Sequence, residues 1–195
     1  SRTSNPQINI NFDIGNGGIV YRSSSLKIRD LSVTGYFTNG TEKVPRTSSL
    51  SLGGIKFMLG TSQYSGTLLL TDFDSLQGDL HLKGKIIPSE LSEFFNITKI
   101  SSSAGTVDFD LKMNGFLPEK EKYSLQDILN LKPDARLEFN DFSIGLGNER
   151  LKINDVFGTM LIADFIKAEN LNFVYKDHQI AFNGIVNNLP EWMAG

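Results

Sequence analysis

One short pattern of apolar and polar positions recurs along the chain: apolar, any, apolar, any, Asp or Asn, apolar. It reads Leu26, Ile28, Asp30, Leu31; Leu68, Leu70, Asp72, Phe73; Leu137, Phe139, Asp141, Phe142; Leu151, Ile153, Asp155, Val156; and Ile166, Ala168, Asn170, Leu171. Each copy alternates at period 2 and changes phase across the Asp or Asn, as a β-strand does at a bulge or at the bend into the next strand. A second pattern ends in glycine: Leu31, Val33, Gly35; Leu80, Leu82, Gly84; Leu111, Met113, Gly115; and Ile180, Phe182, Gly184. Three of these run on into apolar residues at i, i+3 and i+4: Leu91, Phe94, Phe95; Leu125, Ile128, Leu129; and Leu189, Trp192, Met193. That spacing gives one apolar face on a helix of about two turns. The repetition predicts a meander whose unit is strand, bend, strand and helical plug.

Strands are expected near 7–14, 26–37, 48–59, 64–73, 78–87, 105–116, 135–146, 150–157, 159–168, 171–176 and 179–187, and helices at 89–95, 124–130 and 189–193. Asn39-Gly40, Gly53-Gly54, Gly147-Asn148 and Asp177-His178 read as tight turns, Ser89 and Ser124 as helix N-caps, and 39–49 and 101–105 as flexible loops. The fold class is all-β, mainly antiparallel, with short helices, in a single domain over residues 1–195. Sequential repeats with bends at the same point of each unit favour a strongly curved sheet forming a β-groove, with a β-sandwich or a barrel as the alternatives.

Composition narrows the function classes. A net charge of −3 with no Lys/Arg cluster argues against a nucleic-acid partner, because phosphate binding needs a basic surface. The absence of cysteine excludes a disulfide scaffold, a thiolate metal site and a cysteine nucleophile together. No apolar run is long enough to span a membrane as a helix. The chain starts at Ser1 without Met, which leads us to expect a processed piece of a longer protein whose export signal or anchor has been removed.

The chemistry-bearing residues are few. His81 sits between Leu80 and Leu82, hence on the opposite, polar face, and His178 sits in a turn; neither has a partner at metal spacing. Asp72 with Asp74 and Asp108 with Asp110 are pairs at i, i+2, about 6.5 to 7 Å apart on one strand face, within the range of a glycosidase pair. In Val107-Asp108-Phe109-Asp110-Leu111 the carboxylates also read simply as the polar half of a one-sided strand. No serine lies in a nucleophile elbow, and Gly15, Gly17 and Gly18 around Asn16 form a turn rather than a nucleotide loop. The sequons at Asn39 and Asn96 matter only in a source that glycosylates. The expectation is a non-enzyme without metal or cofactor.

Apolar surface remains. Leu80, Leu82, Val107, Phe109, Leu111, Met113, Ile180 and Phe182 are the candidate lining of an apolar groove for lipid acyl chains, and they read equally as ordinary sheet core. The stretches 25–37, 78–95 (GDLHLKGKIIPSELSEFF) and 105–117 (GTVDFDLKMNGFL) resemble the C-terminal region of AsmA-like proteins, in which LxLxG strands lead into Leu-rich segments such as Ser89 to Phe95. The resemblance implies a periplasmic module of a Gram-negative bacterium, anchored in the inner membrane through an N-terminal helix missing here. It also implies kinship with bridge-like lipid carriers and a role in outer-membrane biogenesis, with phospholipid, and a further envelope protein, as partners. The chain departs from that family in lacking the anchor and in being far shorter than a bridge. Two rivals stand beside this reading: a structural or protein-interaction module pairing through a sheet edge, and a carbohydrate-acting enzyme using Asp108 and Asp110.

Overall fold

The computed structural model describes residues 5–21, 24–117, 131–147 and 151–187. Ten strands follow one another in chain order: β1 (Asn9–Val20), β2 (Lys27–Thr38), β3 (Ser49–Leu59), β4 (Ser62–Thr71), β5 (Gln77–Ile86), β6 (Ile100–Phe116), β7 (Asp134–Leu146), β8 (Leu151–Ile162), β9 (Ile166–Tyr175) and β10 (His178–Val186). They form one antiparallel sheet in the order β1 to β10, each strand beside its sequence neighbour, and the sheet does not close into a barrel. Among the described residues one α-helix, α1 (Pro88–Phe95), links β5 to β6, and a 3₁₀ turn, Pro45–Thr47, precedes β3. The all-β, antiparallel expectation therefore holds. The expected helices at 124–130 and 189–193 lie outside the described residues.

The recurrent Asp or Asn explains how the strands bend. Asp30, Asp72, Asp141, Asp155 and Asn170 all have positive φ, between 50° and 54°. Among L-residues, Asn and Asp tolerate this left-handed region best, because their short polar side chains bond the local backbone. Four of the five sit inside strands, where each adds one residue against its neighbour: Asp30 in β2, Asp141 in β7, Asp155 in β8 and Asn170 in β9. The fifth, Asp72, lies in the β4–β5 connection, where its Oδ1 accepts from Asp74 N at 3.2 Å and Ser75 N at 3.0 Å. Asn16 in β1 and Gly54 in β3 are further left-handed bulge positions. These left-handed bulges fall in two ranks, β1–β3 and β7–β9, with a further irregularity at the start of β6 between Ile100 and Ser102, while the β4–β5 and β5–β6 ladders run without a register shift.

These bulges correct several boundaries. A bulge reverses the side-chain phase without breaking the hydrogen-bonded ladder, so the three segments expected at 150–157, 159–168 and 171–176 are two strands, β8 and β9. Gly53-Gly54 is a bulge in β3 rather than a turn, and the glycines around Asn16 lie within β1, which runs on to Val20. The β9–β10 turn is Lys176-Asp177, both at positive φ, one residue earlier than expected. Residues 101–105 belong to β6. The 39–48 connection is tied down: Asn39 is buried, its Oδ1 accepts from Ile8 N at 2.8 Å and its Nδ2 donates to Pro6 O at 2.9 Å. That burial removes Asn39 as an accessible sequon. Helix α1 is capped by Ile87 with Pro88 at its first position, not by Ser89, because proline is pre-set for a helix start and needs no N–H partner.

Residues directly opposite on neighbouring strands share a face, so the register traces the two faces of the sheet. One row runs Phe12, Gly35, Leu52, Leu68, Leu80, Met113 across six strands. Another runs Ile55, Gly66, Leu82, Leu111, Ala135, Ile162, Ile166, Val186 across eight. The opposite face of the central strands is charged: Lys83 Nζ pairs with Asp110 Oδ2 at 2.7 Å and Lys85 Nζ with Asp108 Oδ1 at 3.7 Å.

A second layer covers only part of the apolar face. The buried cluster is Leu59, Tyr64 and Phe94, flanked by Tyr21, Leu26, Ile28, Phe57, Leu91 and Phe109, so it lies where α1 meets the ends of β2 to β4 and β6. Phe94 is 6% exposed and its neighbour Phe95 50%, so the helix presents one apolar side to the sheet. The Glu90 carboxylate fastens α1 to the β3–β4 turn, accepting from Thr61 N at 2.8 Å and from the hydroxyls of Thr61 and Ser62, each at 2.9 Å.

Candidate functional site

All eight candidate lining residues fall on the apolar face. Leu80 stands opposite Met113, Leu82 opposite Leu111, and Val107 and Phe109 opposite Ile86 and Gly84. Ile180 and Phe182 reach the same face on β10, opposite Phe173 and Leu171. The eight are not one patch. Six occupy the adjacent strands β5 and β6, while Ile180 and Phe182 lie four strands away at the end of the sheet, where Phe182 is 48% exposed.

Nor are the six equivalent. Val107 is buried, 5% exposed, and Phe109 packs against the α1 cluster with its ring 6.0 Å from that of Tyr64, so both belong to the covered part of the face. Leu80 and Met113 line an open concavity of about 100 Å³ with Leu68, Gly78, Leu117 and Leu131. Leu82 and Leu111 are half-buried in the row between.

A larger apolar concavity, about 180 Å³, lies between β7, β8 and β9. Phe139, Phe142 and Ile144 of β7, Ile153, Val156 and Met160 of β8, and Leu171 and Phe173 of β9 form it, with no polar side chain among them. None of these was singled out as lining from the sequence, yet the signal was there: Phe139, Phe142, Ile153, Val156 and Leu171 are the apolar members of the bend pattern itself. They flank the bulged Asp141, Asp155 and Asn170. A bulge bends its strand and raises local twist, and three in adjacent strands do so side by side. Close-fitting glycines accommodate them: a Cβ on Gly105 would come inside 3.0 Å of the Asp141 carbonyl, and one on Gly158 inside 3.0 Å of the Asn170 carbonyl. Side chains complete the bulges, Ser143 Oγ accepting from Asp155 N at 3.0 Å and Asn183 Oδ1 from Asn170 N at 2.6 Å.

The carboxylate pair on the other face is arranged for charge balance. Asp110 accepts from the Lys83 ammonium and approaches His81 Nε2 at 2.7 Å, and Lys83 first, then His81, holds its carboxyl below the usual range. A glycosidase acid needs the opposite shift. Asp108 accepts from Asn140 Nδ2 at 2.9 Å. Among the described residues no group of three or more His, Asp or Glu side chains is placed to hold a metal ion, and no helix is long and apolar enough to cross a membrane.

In class the molecule is a single open antiparallel sheet with one apolar face and, over its central strands, a charged one. No protein-family model, curated protein or solved structure matches the chain.

Proposed function

We propose that this chain is a non-catalytic lipid-binding module that holds acyl chains against the apolar face of its sheet. The observation that carries this reading is the pair of apolar rows crossing six and eight strands with one short helix over them. Most of these side chains are half-buried rather than sealed in a closed core; an apolar face left partly open marks a binding surface, and ligand recognition through it rests on shape and area with few polar contacts. In this reading the two ranks of bulges curl the sheet into a groove around the acyl chains. The AsmA-like resemblance supports the wider proposal of a periplasmic envelope protein, inner-membrane anchored in full length, that serves outer-membrane biogenesis with phospholipid as cargo. The test is mass spectrometry of lipid retained through native purification, with titration of a fluorescent phospholipid. Retained lipid and saturable probe binding are expected; a lipid-free protein that does not bind the probe would overturn the proposal.

One observation favours edge pairing as a second reading. β10 carries no Asp, Glu, Lys, Arg or Pro and exposes Phe182, Ile185 and Val186, whereas β1, at the other edge, carries Asp13 and a bulge. Edges without charge, proline or bulge invite another strand. In that reading analytical ultracentrifugation should show self-association, and Ile185→Lys should abolish it without altering lipid retention.

A further inference from the structure

Two clefts of opposite character border one another across the β6–β7 ladder at the end of the sheet where α1 lies. One is the concavity between β7, β8 and β9, walled only by apolar side chains. The other, about 340 Å³, opens between α1 and the start of β6 and is bordered by Ser89, Ser92, Ser101, Ser102 and Ser103, with Glu93 its single charged side chain; the Ser101 and Ser102 hydroxyls sit beside Gly145, on the side of the sheet away from Ile144, so Ser103 with α1 makes the join. Ser103 of the polar cleft stands directly opposite Ile144 of the apolar one, which puts the two side chains within about 5 Å on one face.

We propose that the two clefts form one amphiphile site, with an acyl chain in the β7–β9 concavity and a neutral or amine-bearing headgroup in the serine cleft. This rests on the lipid reading and names the class of lipid. An extended peptide fits the apolar cleft poorly: the backbones of β7 to β9 are engaged in their ladders on both sides, and the lining has no polar group to meet a peptide N–H or C=O. An acyl chain brings no such groups. Ser92 Oγ already donates to Ile97 O at 2.9 Å and meets a ligand as an acceptor, while hydroxyls in general both donate and accept, which suits the ester and phosphate oxygens of a glycerolipid. Glu93, with no Lys or Arg lining the cleft, repels a net negative headgroup and attracts an ammonium. Its Oε1 already accepts from the Ser25 hydroxyl, and a carboxylate has acceptor sites to spare.

The experiment is photo-crosslinking with phosphatidylethanolamine carrying a diazirine near the end of one acyl chain, compared with phosphatidylglycerol labelled in the same way. Cross-links mapped by mass spectrometry are expected on Phe142, Ile153 and Leu171, with the ethanolamine lipid labelling about fivefold more strongly, the worth of one partly screened charge. Glu93→Lys, at an exposed position, should reverse that preference while leaving the circular dichroism spectrum unchanged. Saturable cross-links confined to Leu80, Leu111 and Met113 would overturn this site and leave the lipid reading standing. Failure of either lipid to label saturably would remove both. Equal labelling by the two lipids, or a preference untouched by Glu93→Lys, would overturn the headgroup assignment.

Discussion

Gly158 of β8 lies so close to the bulged Asn170 of β9 that a Cβ added to it would fall inside 3.0 Å of the Asn170 carbonyl oxygen and of the Leu171 Cα. Its φ of 122° is one that L side chains rarely adopt. Both atoms are backbone, so relief requires the bulge itself to move. Gly158→Ala should therefore destabilise the fold by about 1–3 kcal/mol, read as a lowered midpoint in urea. Gly15→Ala, with no atom within 4 Å of its Cβ and no positive φ, serves as the control and should stay close to the parent.

The Glu90 clamp sets how firmly α1 covers its part of the sheet. Replacing Glu90 by Ala leaves Thr61 N and two hydroxyls without their acceptor at the β3–β4 turn. A hydrogen bond to a charged group contributes about 1.5–3 kcal/mol, less where water can substitute. Hydrogen exchange should accelerate across α1 and at Thr61, while amides in β8 and β9 keep their protection. Uniform acceleration over the whole sheet would show that the helix is not a local cover.

Along β6 the same substitution should have graded effects. Val107→Glu buries a charge at a 5% exposed position and should unfold the domain. Phe109→Glu strikes the packing against Tyr64 and α1 and should lower the melting temperature strongly. Leu111→Glu, half-buried beyond the helix, should stay folded and lose binding of a fluorescent phospholipid. Thermal melts beside probe titration check the order, and equal collapse of all three would mean that the face is closed core throughout.

The charged face supplies a pH dependence. Lys83 and then His81 hold the Asp110 carboxyl below its usual value. A depressed carboxylate adds stability that is complete above its unfolded value, about pH 3.9, and is lost as pH falls through the lower native value. The pair is well exposed, so the contribution is at most about 1 kcal/mol and is screened by salt. Asp110→Asn should flatten the stability profile below about pH 4 and leave lipid binding at neutral pH unchanged, as chemical denaturation at several pH values would record.

The sequence by itself determined the strand content and the two faces, because period-2 alternation assigns each residue a side wherever the strand lies. It also marked the bends. Asp30, Asp72, Asp141, Asp155 and Asn170, all read as phase reversals, all adopt the left-handed conformation, since the demand for a short polar residue there is local. Whether a bend becomes a bulge or a turn is not local. Asp72 and Asp155 follow the same pattern, yet one lies between strands and the other inside one, depending on whether a neighbour continues the ladder past it. Hence eleven expected strands became ten, and Gly53-Gly54, a turn by composition, is a bulge held between β2 and β4. The candidate site divides in the same way. Its apolar face was legible along each strand, but only the tertiary structure decided that Val107 is buried and Phe109 packs into the α1 cluster, that bulges in three adjacent strands align around a concavity, and that Ser103 meets Ile144 across the ladder. Register and helix placement arise from contacts between residues distant in sequence, and no single strand's pattern contains them.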